Sequence, residues 1–489
     1  MSARPVAMIL MATALSCMTP HGQARDLADL DLTPLEDPLL ARPPELDHGK
    51  VLPGDALPLA CDDRPALLTV PLSLRDAIDL GLCHHAQVKA GWARIKVQAA
   101  QKGEARAAYL PTINAGLRHQ QERVRQPDAA VAPDAQRISR SQYYTLTWRL
   151  LDFGGRAANL RAADALLEAA LASHDAILQK TMSNVIAAYY EVQTSGANRQ
   201  ARALNEGLAR QIMETTQRRA ARGMAARSDL LQVQTALSKA ELEHARAIGQ
   251  HEKSLITLSI ALGLRGQSAQ IDVPIGSPDS AMDEQQVSQD LEQWSAQAQL
   301  HHPALLASRA QLASAREKLA ATRAEGLPNL DFSHGYYVNG RPNQGNVGRQ
   351  TRETVTGLSL NIPLFDGFSH TYKVRSAQAQ IDLREAELLE AEGQVIGELA
   401  SAYADNQAAQ RNLASSQRLL DSATLALEDV QRKYERGLSD IIGILNVQAA
   451  LADASQERIR ALAEWRSARL RLLASAGELG RTRIAEQGK

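Results

Sequence analysis

The stretch TWRLLDFGGRAANLRAADALLEAAL, residues 147–171, changes period in its middle. Up to Asp152, apolar and polar side chains alternate. Tyr144, Leu146, Trp148 and Leu150 share one face, and Tyr143, Thr145, Thr147 and Arg149 share the other, which is the period of a strand. Beyond Gly155 the chain is Ala-rich and helical. LSLNIPLFDGFSHTYKVRSAQAQI, residues 358–381, makes the same switch. Twice, then, a short amphipathic strand runs straight into a long helix with no domain between them.

The two switches belong to a duplication. An offset of 217 lays HHAQVKAGWARI (84–95) over HHPALLASRAQL (301–312) and Leu110-Pro111 over Leu327-Pro328. An offset of 214 brings Asp152 onto Asp366, Tyr189 onto Tyr403, and RGMAARSDLLQVQTAL (222–237) onto RGLSDIIGILNVQAAL (436–451). The offset changes only between Pro111 and Asp152, so the length difference sits in the segment joining two strands.

Each repeat reads helix, strand, loop, strand, very long helix, turn, helix. In the first, 72–263, a helix covers 72–109 and TINAGLRHQQERV is a strand. A polar loop at 124–140 and a returning strand at 141–152 follow, then helices over 156–222 and 228–262. In the second, 291–480, the expected elements are helix 291–326, strands near 328–339 and 352–364, and helices 369–436 and 440–476. Residues 264–290 connect the repeats and 481–489 form a tail. Gly223 and Gly437 end the long helices at tip turns. Each long helix would measure roughly 100 Å at about 1.5 Å per residue. Leu160, Leu167, Leu171, Leu178, Val185, Tyr189 and Val192 predict a coiled-coil seam along the first.

Composition agrees with long helices rather than globular cores. Aromatic residues are only 4% of 489, while the formal net charge of −1 offers no field for nucleic acid. At the N-terminus, Arg4 and VAMILMATAL read as a signal peptide over 1–24 with cleavage after Ala24. A lipoprotein signal at Cys17 is the competing reading. Residues 25–71 hold 8 of the 19 prolines and read as an extended arm. Removal of the leader leaves Cys61 and Cys83, an even count that suggests a disulfide in an exported chain, with two free thiols as the alternative.

Each strand is about a dozen residues, enough to cross a bilayer when tilted. Leu330, Phe332, Tyr336 and Val338 in one strand, and Leu358, Leu360 and Ile362 in another, give one apolar face opposite a face of Asn, Asp, Ser and Thr. Apolar outside and polar inside is the wall of a water-filled barrel. Four strands cannot close alone, and lipid does not tolerate an open edge. Two copies would give eight strands and a filled interior, three would give twelve and a conduit. The helices leave such a barrel on one side. Gly154, Gly155 and Gly367 then allow the sharp change of backbone at the strand–helix joints, with Pro111, Pro328 and Pro363 ending the ladder near the same level.

The duplicated strand–helix plan and the paired RG…S-D…L…Q…AL turns resemble the TolC family of outer-membrane channel proteins over about 72–480. The proline-rich arm and the Cys61/Cys83 pair are similar to members that serve type I secretion of an adenylate cyclase–haemolysin toxin. The resemblance implies an α+β membrane protein of the bacterial outer membrane, a homotrimer closing a twelve-stranded barrel, and a periplasmic coiled-coil tunnel. It implies an inner-membrane ABC transporter and a periplasmic adaptor as partners, with a secreted protein as cargo; drug or small-molecule efflux is the other use of the plan. It also implies a latch in which an Asp of the first tip bonds a Tyr and an Arg of the second. The matching positions are Asp229, Tyr434 and Ser439, so the Arg is missing. Two acidic positions just past the second tip are Gly443 and Asn446 here, leaving Asp440 as the nearby carboxylate.

Enzymatic chemistry is not expected. DFG at 152–154 lacks a phosphate loop and catalytic HRD. The His pairs at 84–85 and 301–302 read as polar helix-end residues, and His244 and His251 lack an HExxH. No cofactor or metal site is predicted.

Overall fold

The structure, a computed structural model, describes residues 37–41, 61, 71–124, 135–264, 271–274, 290–341, 351–436 and 438–480. The expected leader with Cys17, most of the arm and of the connector, Gly437 and the 481–489 tail lie outside these. The chain divides into units Met1–Arg42 and Pro43–Lys489. In the first, Asp37–Ala41 form a turn in which Ala41 N donates to Asp37 Oδ1 at 2.7 Å.

The second unit holds both repeats. The first repeat comprises α1 (Leu74–His84), α2 (Ala86–Ala107), β1 (Thr112–Val124), β2 (Ala135–Leu151), α3 (Gly155–Ala221) and α4 (Arg227–Ala261). The second comprises α5 (Leu291–His301), α6 (Pro303–Glu325), β3 (Asn329–Val338), β4 (Arg352–Asn361), α7 (Ser369–Glu435) and α8 (Ile441–Ser475). Both α3 and α7 are 67 residues long. No described helix is long and apolar enough to cross a membrane.

Two expected helices, 72–109 and 291–326, are each broken in two. His85 (φ −66°, ψ 128°) and His302 (φ −65°, ψ 124°) are extended between helical segments. Each imidazole Nδ1 caps the next helix, accepting from Gln87 N and Ala304 N at 3.3 Å. The signal was the His302-Pro303 dipeptide, since proline disfavours helix before it and favours the first helical turn after it. Burial holds the His302 imidazole below its usual pKa. A depressed histidine contributes stability that is present at neutral pH and lost as pH falls through and below the ordinary histidine range. Thermal unfolding should therefore occur at lower temperature at pH ~5 than at pH ~7, and His302→Asn, which keeps an acceptor, should reduce that difference.

The main core sits where the helix breaks meet the middle of the long helices. Ile78 and Leu82 of α1, Met182, Val185 and Ile186 of α3, Leu258 of α4, Leu399 of α7 and Leu470 and Leu472 of α8 are buried together there. The connector joins them, Leu72 N donating to Asp272 O at 2.7 Å and the Tyr189 hydroxyl to Leu72 O at 3.0 Å. Burial raises the Tyr189 hydroxyl to about 12. Cys61 and Cys83 are disulfide-bonded, with Cα atoms 5.4 Å apart.

The predicted seam of α3 holds only in part. Leu178, Val185, Tyr189 and Val192 are buried, but nearer the strands Ala158, Ala162, Ala169 and Ala172 take the buried positions and Leu160, Leu167 and Leu171 are half-exposed. Helix α6 packs on this part of α3, and the Ser314 hydroxyl donates to Ala162 O at 3.0 Å, an approach that small residues permit.

Candidate functional site

The four strands form one antiparallel sheet in the order β1-β2-β3-β4. The duplication extends to register. Ile113 pairs with Leu146, and the repeat equivalents, Leu330 and Leu360, pair with each other. Ile113, Leu117, Trp148, Leu150, Leu358 and Leu360 lie on one exposed apolar face, each at least 40% exposed. On the opposite face, Thr112, Thr145, Thr147, Ser333 and Ser359 stand beside Arg149, whose Nε donates to Asp331 Oδ1 at 2.9 Å. The outer sides of the edge strands β1 and β4 have no strand partner among the described residues.

Both joints are built by two successive left-handed residues. Phe153 and Gly154 have φ of 49° and 95°, and Gly367 and Phe368 have 68° and 66°. Gly155 N donates to Asp152 O at 3.2 Å and Ser369 N to Asp366 O at 3.4 Å, closing two turns of the hairpin type. Gly155 itself begins α3, and Pro363 lies two residues beyond β4. The repeat-equivalent aspartates, aligned in the sequence but given no role there, complete both joints. Asp152 Oδ2 accepts from Arg156 N, and Asp366 Oδ2 from His370 N, each at 2.7 Å. Arg156 also reaches back to Arg149 O at 2.7 Å, tying helix start to strand end. Their alignment under one offset was the available signal. Asp152→Ala should cost about 1–2 kcal/mol through the lost helix-start bond, read as a lowered thermal midpoint with the oligomer retained.

At the other end, Gly223 has φ 74° and closes the α3–α4 turn. Here the two tip carboxylates both serve as caps. Ala226 N donates to Asp229 Oδ2 at 3.3 Å, while Gly443 N donates to Asp440 Oδ1 at 2.8 Å. Ala226 and Asp440 are repeat equivalents, as are Asp229 and Gly443, so one three-residue spacing is bonded in opposite senses. Ser439 Oγ and Asp440 Oδ1 crowd Gly443, where an added Cβ would lie 3.0 and 3.1 Å from them. Asn446 is exposed.

Tyr434 is 8% exposed and packs with Ile212, Val233, Ile441 and Ile444 in a small tip core. Its hydroxyl lies 3.4 Å from Thr216 Oγ1. The Arg219 guanidinium stands 4.5 Å from the centre of its ring and donates to Tyr434 O at 3.1 Å. The bond expected between Asp229 and Tyr434 is therefore not among the described contacts of the chain. The aspartate is turned to its own helix start, and the phenol is turned into the core. A cation does sit at Tyr434, but it comes from the first repeat, one turn before Gly223, rather than from position 439.

The family model described as outer membrane efflux protein matches residues 77–264 and 294–478. Protein CyaE of Bordetella pertussis is 35% identical over 448 residues, 91% of each chain. The alkaline protease secretion protein AprF of Pseudomonas aeruginosa is 23% identical over 273 residues, 55% of this chain and 56% of that one. The outer membrane protein VceC of Vibrio cholerae, 19% identical, has the same fold with a TM-score of 0.71 over 83% of this chain and 96% of its own.

Proposed function

This chain belongs to the outer membrane efflux protein family, and on that premise we propose a specific conduit. Three copies close a twelve-stranded barrel in the outer membrane, and their long helices continue it as a tunnel in the periplasm. The conduit exports a protein toxin of the adenylate cyclase–haemolysin type by type I secretion. It works with an inner-membrane ABC transporter and a periplasmic adaptor.

The observation that carries the barrel is the sheet itself: an exposed apolar band, a polar opposite face and two unpaired edges. Lipid admits that sheet only as part of a closed ring. The duplication supports closure between copies, because the β2–β3 junction inside one chain has a ready counterpart between β4 of one copy and β1 of the next. Twelve strands leave an open bore, whereas eight would be filled by side chains. The helices follow the same plan. Near the strands the packing order is α2-α3-α6-α7, and near the tips it is α4-α3-α8-α7, so α7 forms one edge throughout.

The toxin reading rests on the likeness to CyaE and on a protease secretion protein among the relatives. Deletion of the gene tests it. Culture supernatant should lose a large secreted protein, and expression of the gene in trans should restore it. An unchanged supernatant together with raised sensitivity to small toxic compounds would assign the conduit to small-molecule efflux instead.

A further inference from the structure

The polar face of the sheet changes character along its length. Nearest the helices it carries the Arg149–Asp331 pair. The next two rows are small: Thr112, Thr147, Ser333 and Gly357, then Asn114, Thr145, Gly335 and Val355. The outermost row that all four strands complete is Gly116, Tyr143, Tyr337 and Glu353. Two rings thus enter a face whose two preceding rows hold no aromatic or charged side chain.

Gly116 and Gly335 do not serve backbone freedom, since neither has a positive φ. They serve the tyrosines. A Cβ at Gly116 would lie within 2.5 Å of Tyr143 Cε1 and Oη, and one at Gly335 within 2.6 Å of Tyr337 Cε2 and Oη. Such separations are overlaps, so each ring occupies the space that only glycine leaves open. Tyr143 leans across onto β1, and Tyr337 leans back along its own strand. Arg341 completes the row. Its guanidinium stands 5.7 Å from the Tyr337 ring centre, and its Nε donates to Glu353 Oε1 at 3.1 Å.

We infer that Gly116 and Gly335 are recesses holding a belt of tyrosines flat against the inner wall, and that this belt sets the bore at the outer end of the barrel. The inference rests on the closed trimeric barrel, in which the belt comprises six rings. Flat rings keep the passage wide while lining it with aromatic surface, which suits an unfolded polypeptide in transit. Upright rings would obstruct it.

Planar-bilayer recording of the full-length protein with its tip opened by Tyr434→Ala, the parent in this comparison, tests the belt. Gly116→Ala added to the parent should turn Tyr143 into the bore and reduce the single-channel step to on the order of half the parent value. Gly116→Ala combined with Tyr143→Ala in the parent should restore its step or exceed it. Gly335→Ala paired with Tyr337→Ala repeats the logic on the other hairpin if the first variant fails to assemble. An assembled glycine variant that conducts like the parent would overturn the inference, as would a double variant no better than its single. A parent with no conductance would instead overturn the channel on which the inference rests.

Discussion

Leu358→Arg should remove the assembled protein from the outer membrane. Leu358 is 65% exposed on the apolar face of β4, beside Phe332 of β3. An arginine facing lipid costs about 2 kcal/mol or more, depending on depth, so the three copies of the proposed trimer cost on the order of 6. At about 1.4 kcal/mol per tenfold, that lowers the population of inserted trimer by roughly 10⁴. Ser359→Arg is the control. It lies on the opposite face, paired with Asp331, and should insert normally while changing ion selectivity. Trimer abundance in outer-membrane fractions reads both outcomes. Equal loss in both variants, or in neither, would show that the two faces do not differ in their exposure to lipid.

Tyr434→Ala should open the tip and raise single-channel conductance. The ring is the largest member of the small core that holds the ends of α3 and α7 together with the starts of α4 and α8. Truncating a buried aromatic costs about 3 kcal/mol, and the three copies of the proposed trimer lose it together. Tyr434→Phe removes only the hydroxyl, whose contact with Thr216 is a long 3.4 Å, so it should conduct nearly as wild type does. Arg219→Ala removes the stacked cation, worth about 0.5–1 kcal/mol, and should fall between them. Asp229→Ala, by contrast, loses a helix-start contact and should leave conductance near wild type. If Asp229→Ala opens the channel as far as Tyr434→Ala does, a carboxylate latch between tips operates in the assembled protein. If Tyr434→Ala conducts like wild type, the tip core does not hold the channel shut.

The sequence made the repeat legible because helical and strand periods alternate in blocks long enough to align. β1 begins at Thr112 and the long helices at Gly155 and Ser369, within a residue or so of the positions expected from composition and turn glycines. The helix breaks at His85 and His302 were harder to read, because helix-forming residues resume at once on both sides of each. Only Pro303 marks one of them. β2 begins at Ala135 rather than 141, since its outer part is polar and carries no strand alternation. At the tips, repeat alignment named Asp229 and Tyr434 but could not orient them. Tyr434 turns into the core around Ile212 and Ile444, while Asp229 turns to the start of its own helix.

The closed ring itself is tested most directly across its open edges. Carrying the β2–β3 register through the repeat offsets sets Leu360 of β4 opposite Leu117 of β1 in a neighbouring copy. Cysteines at both positions, treated in outer membranes with a short thiol cross-linker, should give covalent dimer and trimer, with the ladder ending at trimer. A ladder ending at dimer would mean eight strands, one continuing past trimer would mean a different ring, and monomer alone would contradict closure between copies.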